Sequence, residues 1–457
     1  MKKFHALFKI ILISIFALLL VMPGCFAASM PAFDAGEGVC LLDPDTGDNY
    51  YAQNENERYA PASTTKILTA LTAMDYIDTR LDERVTVGEE ITQIDADSSV
   101  ADLVSGDSYT YRELLYGLML PSGNDAAMAI AVSVARIKDP SLSIDAAVTA
   151  FAEMMNEKAI SVGAVNSHFV NPHGLENGDH YTTPADMAKI AMVAFSNTTI
   201  AEITQTAKYT CISGNGVALE WQNSNVLLHQ TIEKEAMAEL LGLPEGTKEN
   251  PYYSVYAKCG KTGHTDAAGR CLVFSGENGE SHLVGVIFKA SDLMTVNSQA
   301  HDVLETAMKD YTHVTVIPED GIYLKTAVLF SHIPDGFVLK LDAGDKRSIT
   351  VPKNEADALT VTLKWDESLM EVTEHYIKIK KAFKAGDVVA ALEIRGKTYS
   401  NSIPLYADRD MAPFGREDQM IAAGAATALL IIILAIIILI VHKNKKKNNI
   451  SDLGQQL

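Results

Sequence analysis

The apolar positions of this chain fall into runs of two periods. Ile67, Leu68, Leu71 and Met74 recur at helical spacing, which predicts a helix opening near Thr64. Thr110-Tyr111-Arg112-Glu113 is a capping-box sequence ahead of Leu114, Leu115, Leu118 and Met119, and Pro121 ends that helix. Further helical runs cover residues 125–136 and 298–310. Residues 38–43 and 49–52, around the turn Pro44-Asp45-Thr46-Gly47-Asp48, read as strands, as do 257–263, 271–275 and 283–290. Strands at both ends of a helical middle predict one α+β domain over residues 30–312. From His313 the texture changes. Residues 323–330, 347–351, 359–365, 388–394 and 399–405 are short, alternating and turn-bounded, which predicts a small all-β domain over 313–405. Residues 406–419 are polar and read as a linker.

Two apolar runs follow neither period. Ile10–Met22 lies behind Lys2, Lys3 and Lys9 and ahead of Cys25-Phe26-Ala27, so residues 1–27 read as a signal peptide. Residues 420–441, 22 in number, carry Thr427 as their only strongly polar side chain. At ~1.5 Å per residue such a helix crosses a hydrocarbon core of about 30 Å. Lys443, Lys445, Lys446 and Lys447 follow at once, which places residues 442–457 in the cytoplasm as a basic tail. The expectation is a cell-membrane protein with one span and its body outside the cytoplasm.

Composition narrows the classes. The 457 residues are 47% hydrophobic and 21% charged, enough apolar surface for a sizeable core. The net charge is −20, and the lysines at both ends make the body between them more acidic still. A body of that charge repels nucleic acid, which excludes it as a partner. Cys40, Cys211, Cys259 and Cys271 would be exported, where disulfides are permitted, and their spacing matches no zinc pattern. A hairpin that opposes Lys261 to Gly269 would set Cys259 opposite Cys271, leaving a disulfide and two buried thiols both open.

Three short motifs carry candidate chemistry. Ser63-Thr64-Thr65-Lys66 opens a helix, so Ser63 and Lys66 fall one turn apart on one face. A serine hydroxyl needs an adjacent base, and a lysine serves if burial and a nearby cation depress its pKa. Ser122-Gly123-Asn124 follows Pro121 in a loop, where ordinary turn chemistry competes with a functional reading. Lys261-Thr262-Gly263 lies in a strand whose alternation sends Lys261 and Gly263 to one face and Thr262 to the other. Gly263 there would let a ligand backbone approach closely.

S-x-x-K, S-x-N and K-T-G in this order form the motif set of penicillin-binding proteins and class A β-lactamases. The longer strings 61–66, 118–127, 171–175 with 180–183, and 261–265 resemble the D-alanyl-D-alanine carboxypeptidases, the low-molecular-mass penicillin-binding proteins. The resemblance covers roughly residues 35–310 and continues more weakly into the β domain, which that family places as a pedestal before a membrane anchor.

It implies a penicillin-binding-protein/β-lactamase-like fold and serine peptidase chemistry on peptidoglycan stem peptides ending D-Ala-D-Ala, with β-lactams as inhibitors and neither cofactor nor metal. Ser63 would be the nucleophile, Lys66 its base, and Ser122 a proton relay. Asn124 would hold the substrate amide. Lys261, Thr262 and Gly263 would form the substrate strand, with backbone N–H groups of Ser63 and His264 as the oxyanion hole. His173 and His180 would be structural. Three departures stand out: a long, acidic stretch between Asn225 and Lys261, Cys259-Gly260 ahead of Lys261, and no arginine in residues 291–296, directly after Ala290. The family's basic position falls near Thr295, which would leave the substrate carboxylate to Lys261, Thr262 and Thr265. A β-lactamase of the same fold and a non-catalytic cell-wall-binding protein are the competing classes.

Overall fold

The computed structural model describes residues 30–453 except 234, 319–320, 329–330, 337, 347 and 374–375. The expected signal peptide lies outside the described residues. Contacts divide the chain into two units, one running to Val314 and including Ile349–Asp357, the other comprising Thr315–Ser348 and the chain from Ala358.

The first unit is built on a five-stranded antiparallel sheet. Its strands are β1 (Gly38–Leu42), β2 (Asn49–Gln53), β3 (Ala257–Thr265), β4 (Gly269–Glu277) and β5 (His282–Ala290), in the order β2-β1-β5-β4-β3. The substrate-strand motif Lys261-Thr262-Gly263 is therefore on an edge. Between β2 and β3 the chain forms α1 (Lys66–Ile77), α2 (Tyr111–Met119), α3 (Asn124–Lys138), α4 (Ile144–Ser161), α5 (Pro184–Ser196), α6 (Thr198–Gln205) and the short α7 (Glu235–Leu240). α8 (Leu293–Asp310) follows β5 and begins five residues before the expected start, because Asp292 accepts from the Thr295 N–H as its N-cap.

Strand alternation divides the core in two. Val284, Val286 and Phe288 of β5 join the helical cluster that contains Ile67, Leu68, Leu114 and Ile130. Leu283 and Ile287 turn to the opposite face, against Val296, Ala300, Val303 and Leu304 of α8. The sheet is thus a middle layer between α8 and the helical bundle. The capping box on α2 forms as the sequence predicts: Glu113 N–H donates to Thr110 Oγ1 and Thr110 N–H to Glu113 Oε2.

The β3–β4 hairpin corrects one expectation. Its register pairs Lys261 with Val273 and Thr265 with Gly269, where Gly269 takes φ 64° in the tight turn. Cys271 is opposite Gly263, while the Cys259 N–H donates to Ser275 Oγ at 3.1 Å. The two cysteines are four residues out of register, and all four described cysteines are free and buried. The turn is centred on Ala267, two residues beyond the centre that pairing Lys261 with Gly269 would require, and this shift explains the slip.

In the second unit, β6 (Ile322–Ala327), β7 (Val338–Asp342), β8 (Thr360–Trp365), β9 (Val388–Arg395) and β10 (Ser400–Ala407) form an antiparallel sheet in the order β6-β7-β10-β9-β8. The chain then enters α9 (Arg416–Leu453). Its segment Arg416–Leu439 contains an 18-residue window of mean hydropathy 2.9 and is long and apolar enough to cross a membrane.

Candidate active site

Ser63 sits in a 3-10 turn, Ala62–Thr65, that runs directly into α1. The two intervening threonines hold that turn. Thr64 Oγ1 donates to the Pro61 carbonyl at 2.6 Å and Thr65 Oγ1 to the Ala62 carbonyl at 2.8 Å. His180 Nδ1 accepts from the Val170 N–H, which leaves its proton on Nε2, 2.9 Å from Thr65 Oγ1. Burial depresses the His180 pKa to about 4, so it stays neutral in this supporting role. Ala62 has φ 46°, a left-handed conformation that costs a residue with a side chain roughly 1–2 kcal/mol. Gly174, at φ 92°, lies so close beneath it that a Cβ would come within 1.8 Å of the Ala62 oxygen. The Asn171-Pro172-His173-Gly174 loop is therefore the floor under the serine.

Lys66 is fully buried at the base of this turn. Its Nζ is 3.0 Å from Ser63 Oγ, 2.6 Å from Asn124 Oδ1 and 3.0 Å from the His173 carbonyl. The last two oxygens can only accept. A neutral amine has two N–H bonds and one lone pair, so donating to both leaves the lone pair for the Ser63 hydroxyl. Desolvation, and then the nearby charge of Lys261, hold the Lys66 pKa well below its ordinary value. Buried Asp125 opposes them and accepts from the N–H groups of Ala101, Leu103 and Ala126.

Ser122 has φ 65° and lines the same cleft as Ser63. Gly123 between Ser122 and Asn124 is required by space: a Cβ would fall 2.8 Å from the Gly117 carbonyl and 2.9 Å from Ala101 Cβ. That packing delivers Asn124 to Lys66. On the other wall, a Cβ on Gly263 would be 3.1 Å from the Ser63 nitrogen, so β3 runs directly beside the serine. Lys261 is 1% exposed, donates to the Thr262 carbonyl at 2.8 Å, and has its pKa lowered by burial to about 7. Thr262 Oγ1 is 2.7 Å from Ser224 Oγ, and His264 is exposed at the strand end.

These groups surround a cleft of roughly 380 Å³, lined by Ser63, Ser122, Ser224, Thr262, Gly263 and His264, with Val226, Met237, Leu240, Leu293 and Val296 as apolar wall. All eight sequence-predicted positions thus meet around one serine. A larger cavity elsewhere in the unit, roughly 520 Å³ and lined by Phe195, Cys259 and Leu283, includes none of these eight residues.

The sequence reading missed the His173 carbonyl, Ser224, Asp125 and Arg270, which lines the cleft from β4. Ser224 lies 38 residues before Thr262, and no local pattern ties the two. Thr295, placed by the sequence comparison near a carboxylate-binding position, is not among the cleft-lining residues. Its hydroxyl and N–H both donate to Asp292 in the first turn of α8.

Several known proteins are similar to this chain. Residues 25–238 match the family model described as D-alanyl-D-alanine carboxypeptidase. A D-alanyl-D-alanine carboxypeptidase of Streptomyces sp. strain K15 is 30% identical over 277 residues, 59% of this chain and 86% of that one. D-alanyl-D-alanine carboxypeptidase DacF of Bacillus subtilis is 29% identical over 277 residues, 60% of this chain and 62% of its own. The crystal structure of the Streptomyces K15 DD-transpeptidase superimposes with a TM-score of 0.52 at 30% identity, covering 61% of this chain and 98% of that one. D-alanyl-D-alanine carboxypeptidase DacD from Francisella tularensis shares the fold over 84% of this chain and 95% of its own, with a TM-score of 0.61 at 23% identity. A serine whose hydroxyl faces a buried lysine, walled by a K-T-G edge strand, defines a penicillin-binding serine peptidase. This chain belongs to the D-alanyl-D-alanine carboxypeptidase family.

Proposed function

We propose that this protein is a serine-type carboxypeptidase that removes the terminal D-alanine from peptidoglycan pentapeptides through an acyl-enzyme on Ser63. The observation that carries the reading is the Ser63–Lys66 pair, in which a fully buried amine lies 3.0 Å from the Ser63 hydroxyl with its pKa lowered by desolvation. Ser63 Oγ attacks the carbonyl carbon of the penultimate D-alanine while its proton passes to Lys66 Nζ. Negative charge on the carbonyl oxygen is held by the backbone N–H groups of Ser63 and His264, an interaction typically worth a few kcal/mol. As the C–N bond breaks, Ser122 relays the Lys66 proton to the leaving amine. Water then hydrolyses the ester by the same base.

Asn124 offers its amide NH₂ to the substrate backbone, since its oxygen is committed to Lys66. Lys261 and Thr262 bind the C-terminal end, and Gly263 keeps the strand close. Penicillin enters as a substrate mimic and acylates the same serine. The second unit acts as an all-β pedestal and α9 as the anchor, which puts the active site outside the cytoplasm and residues 442–457 inside. The β-lactamase alternative needs a carboxylate that activates the deacylating water. Among the described cleft-lining residues the one acid is exposed Asp97, and the matched relatives are carboxypeptidases.

Mass spectrometry after mixing with penicillin tests the assignment. One long-lived adduct per chain is expected, with release of D-alanine from a D-Ala-D-Ala peptide in its absence. Ser63→Ala abolishes both. An adduct that survives in the Ser63→Ala protein refutes the nucleophile.

A further inference from the structure

The cleft holds a charge that none of these roles uses. Arg270 lines it from β4 and is the only lysine or arginine among the described residues that do so. Its guanidinium makes no hydrogen bond or ion pair with any described residue, although it is half-buried rather than extended into solvent. Register fixes its place. Arg270 is directly opposite His264 on β3, so it shares a sheet face with His264 and Thr262, and Thr262 is its diagonal neighbour. Diagonal positions are about 7–8 Å apart, a gap an arginine side chain spans. Across the other ladder it faces Ala290, too small to obstruct it.

We infer that Arg270 is the specificity-determining cation of this enzyme, pairing with the terminal carboxylate of the D-Ala-D-Ala substrate beside the Thr262 and Ser224 hydroxyls. The inference rests on the carboxypeptidase reading and names the group that makes it a carboxypeptidase. The two lysines of the site leave room for a second, more accessible charge beside Lys261. Lys66 is wholly buried behind the serine, and Lys261 is 1% exposed with its Nζ on the Thr262 carbonyl. Burial lowers the Lys261 pKa to about 7, so near neutrality it carries only part of a charge. A guanidinium stays charged at every working pH and presents parallel N–H donors that match a carboxylate. Exposed Lys289, at φ 64° on the end of β5, is not among the cleft-lining residues.

The test compares two substrates on the full-length enzyme in detergent: an N-acylated peptide ending D-Ala-D-Ala, and the same peptide as its C-terminal amide. A charge-assisted bond corresponds to roughly 10- to 100-fold in kcat/KM. Arg270→Gln is expected to lose that factor on the acid, chiefly in KM, and to stay within about twofold of wild type on the amide. Arg270→Lys is expected to recover most of the loss. Binding of both peptides to the acylation-dead Ser63→Ala protein gives the same discrimination without turnover. Equal loss on acid and amide, or no loss on the acid, overturns the assignment while leaving the activity intact. A wild-type enzyme that releases no D-alanine from the acid overturns the carboxypeptidase reading itself.

Discussion

Keeping Lys261 in its place costs stability, and Lys261→Met measures how much. In the folded protein burial lowers its pKa from 10.5 to about 7. At ~1.4 kcal/mol per pKa unit, the charged form is disfavoured by about 5 kcal/mol relative to the unfolded chain. Solvent screening relieves little of this, since the side chain is 1% exposed. The folded pKa is the lower one, so the unfolded state binds more protons between pH 7 and 10.5, and stability rises with pH across that window. The full cost applies below pH 7, falls through the window and vanishes above 10.5. Methionine has similar length and no charge, but it leaves the Thr262 carbonyl without the Lys261 donor. Charging that loss at about 1–2 kcal/mol leaves a net gain of roughly 2–4 kcal/mol at pH 7. For a unit of this size that is about 5–10 °C in Tm. Calorimetry of both proteins from pH 6 to 10 should show the variant ahead at neutral pH and the two converging as pH rises. Activity should collapse, and the residual acid limb should move upward, because Lys66 loses the neighbouring charge that helps depress its pKa. A Lys261→Met protein less stable than wild type at pH 7, or an advantage that grows with pH, would refute the argument.

Other expectations follow from single contacts. Gly174→Ala forces a Cβ against the Ala62 oxygen at φ 92°, so we expect a loss of more than about 3 kcal/mol by denaturant titration together with lost acylation. Reduction should change neither the mass nor the Tm of the mature protein, because Cys259 and Cys271 are free; Cys271, its pKa pushed up by burial to about 12, should resist alkylation until unfolding. Thr295→Arg should leave KM within about twofold, since the Thr295 side chain is held on the Asp292 cap and does not line the cleft. Removal of residues 420–457 should give an enzyme that stays in solution without detergent and releases D-alanine at the full-length rate, tested by sedimentation and turnover.

Much of the site was legible because its chemistry is local. Ser63 and Lys66 are one helical turn apart, and an i, i+3 pair on a helix start is a property of sequence. Gly123 and Gly263 were visible as glycines, but what each one packs against was not. The missing side chain of Gly263 admits the Ser63 backbone. The helices that run through residues 144–161 and 184–196 escaped the pattern reading, since their apolar faces blur into small residues such as Ala147, Ala188 and Ala194.

What the chain determined by itself were the periods, the caps and the order of the motifs, each decided within a few neighbouring residues. The capping box on Thr110 formed as written because both its hydrogen bonds lie within four residues. Folding decided everything that depends on register or on burial. A turn centred on Ala267 rather than two residues earlier moved Cys259 away from Cys271 and set Arg270 against His264. Burial determined that the Lys66 pKa is held well below its ordinary value, by taking the side chain out of water and setting Lys261 near it, with Asn124 and the His173 carbonyl brought to its Nζ from two other segments. Desolvation is a property of the assembled interior, and no spacing along a chain encodes it.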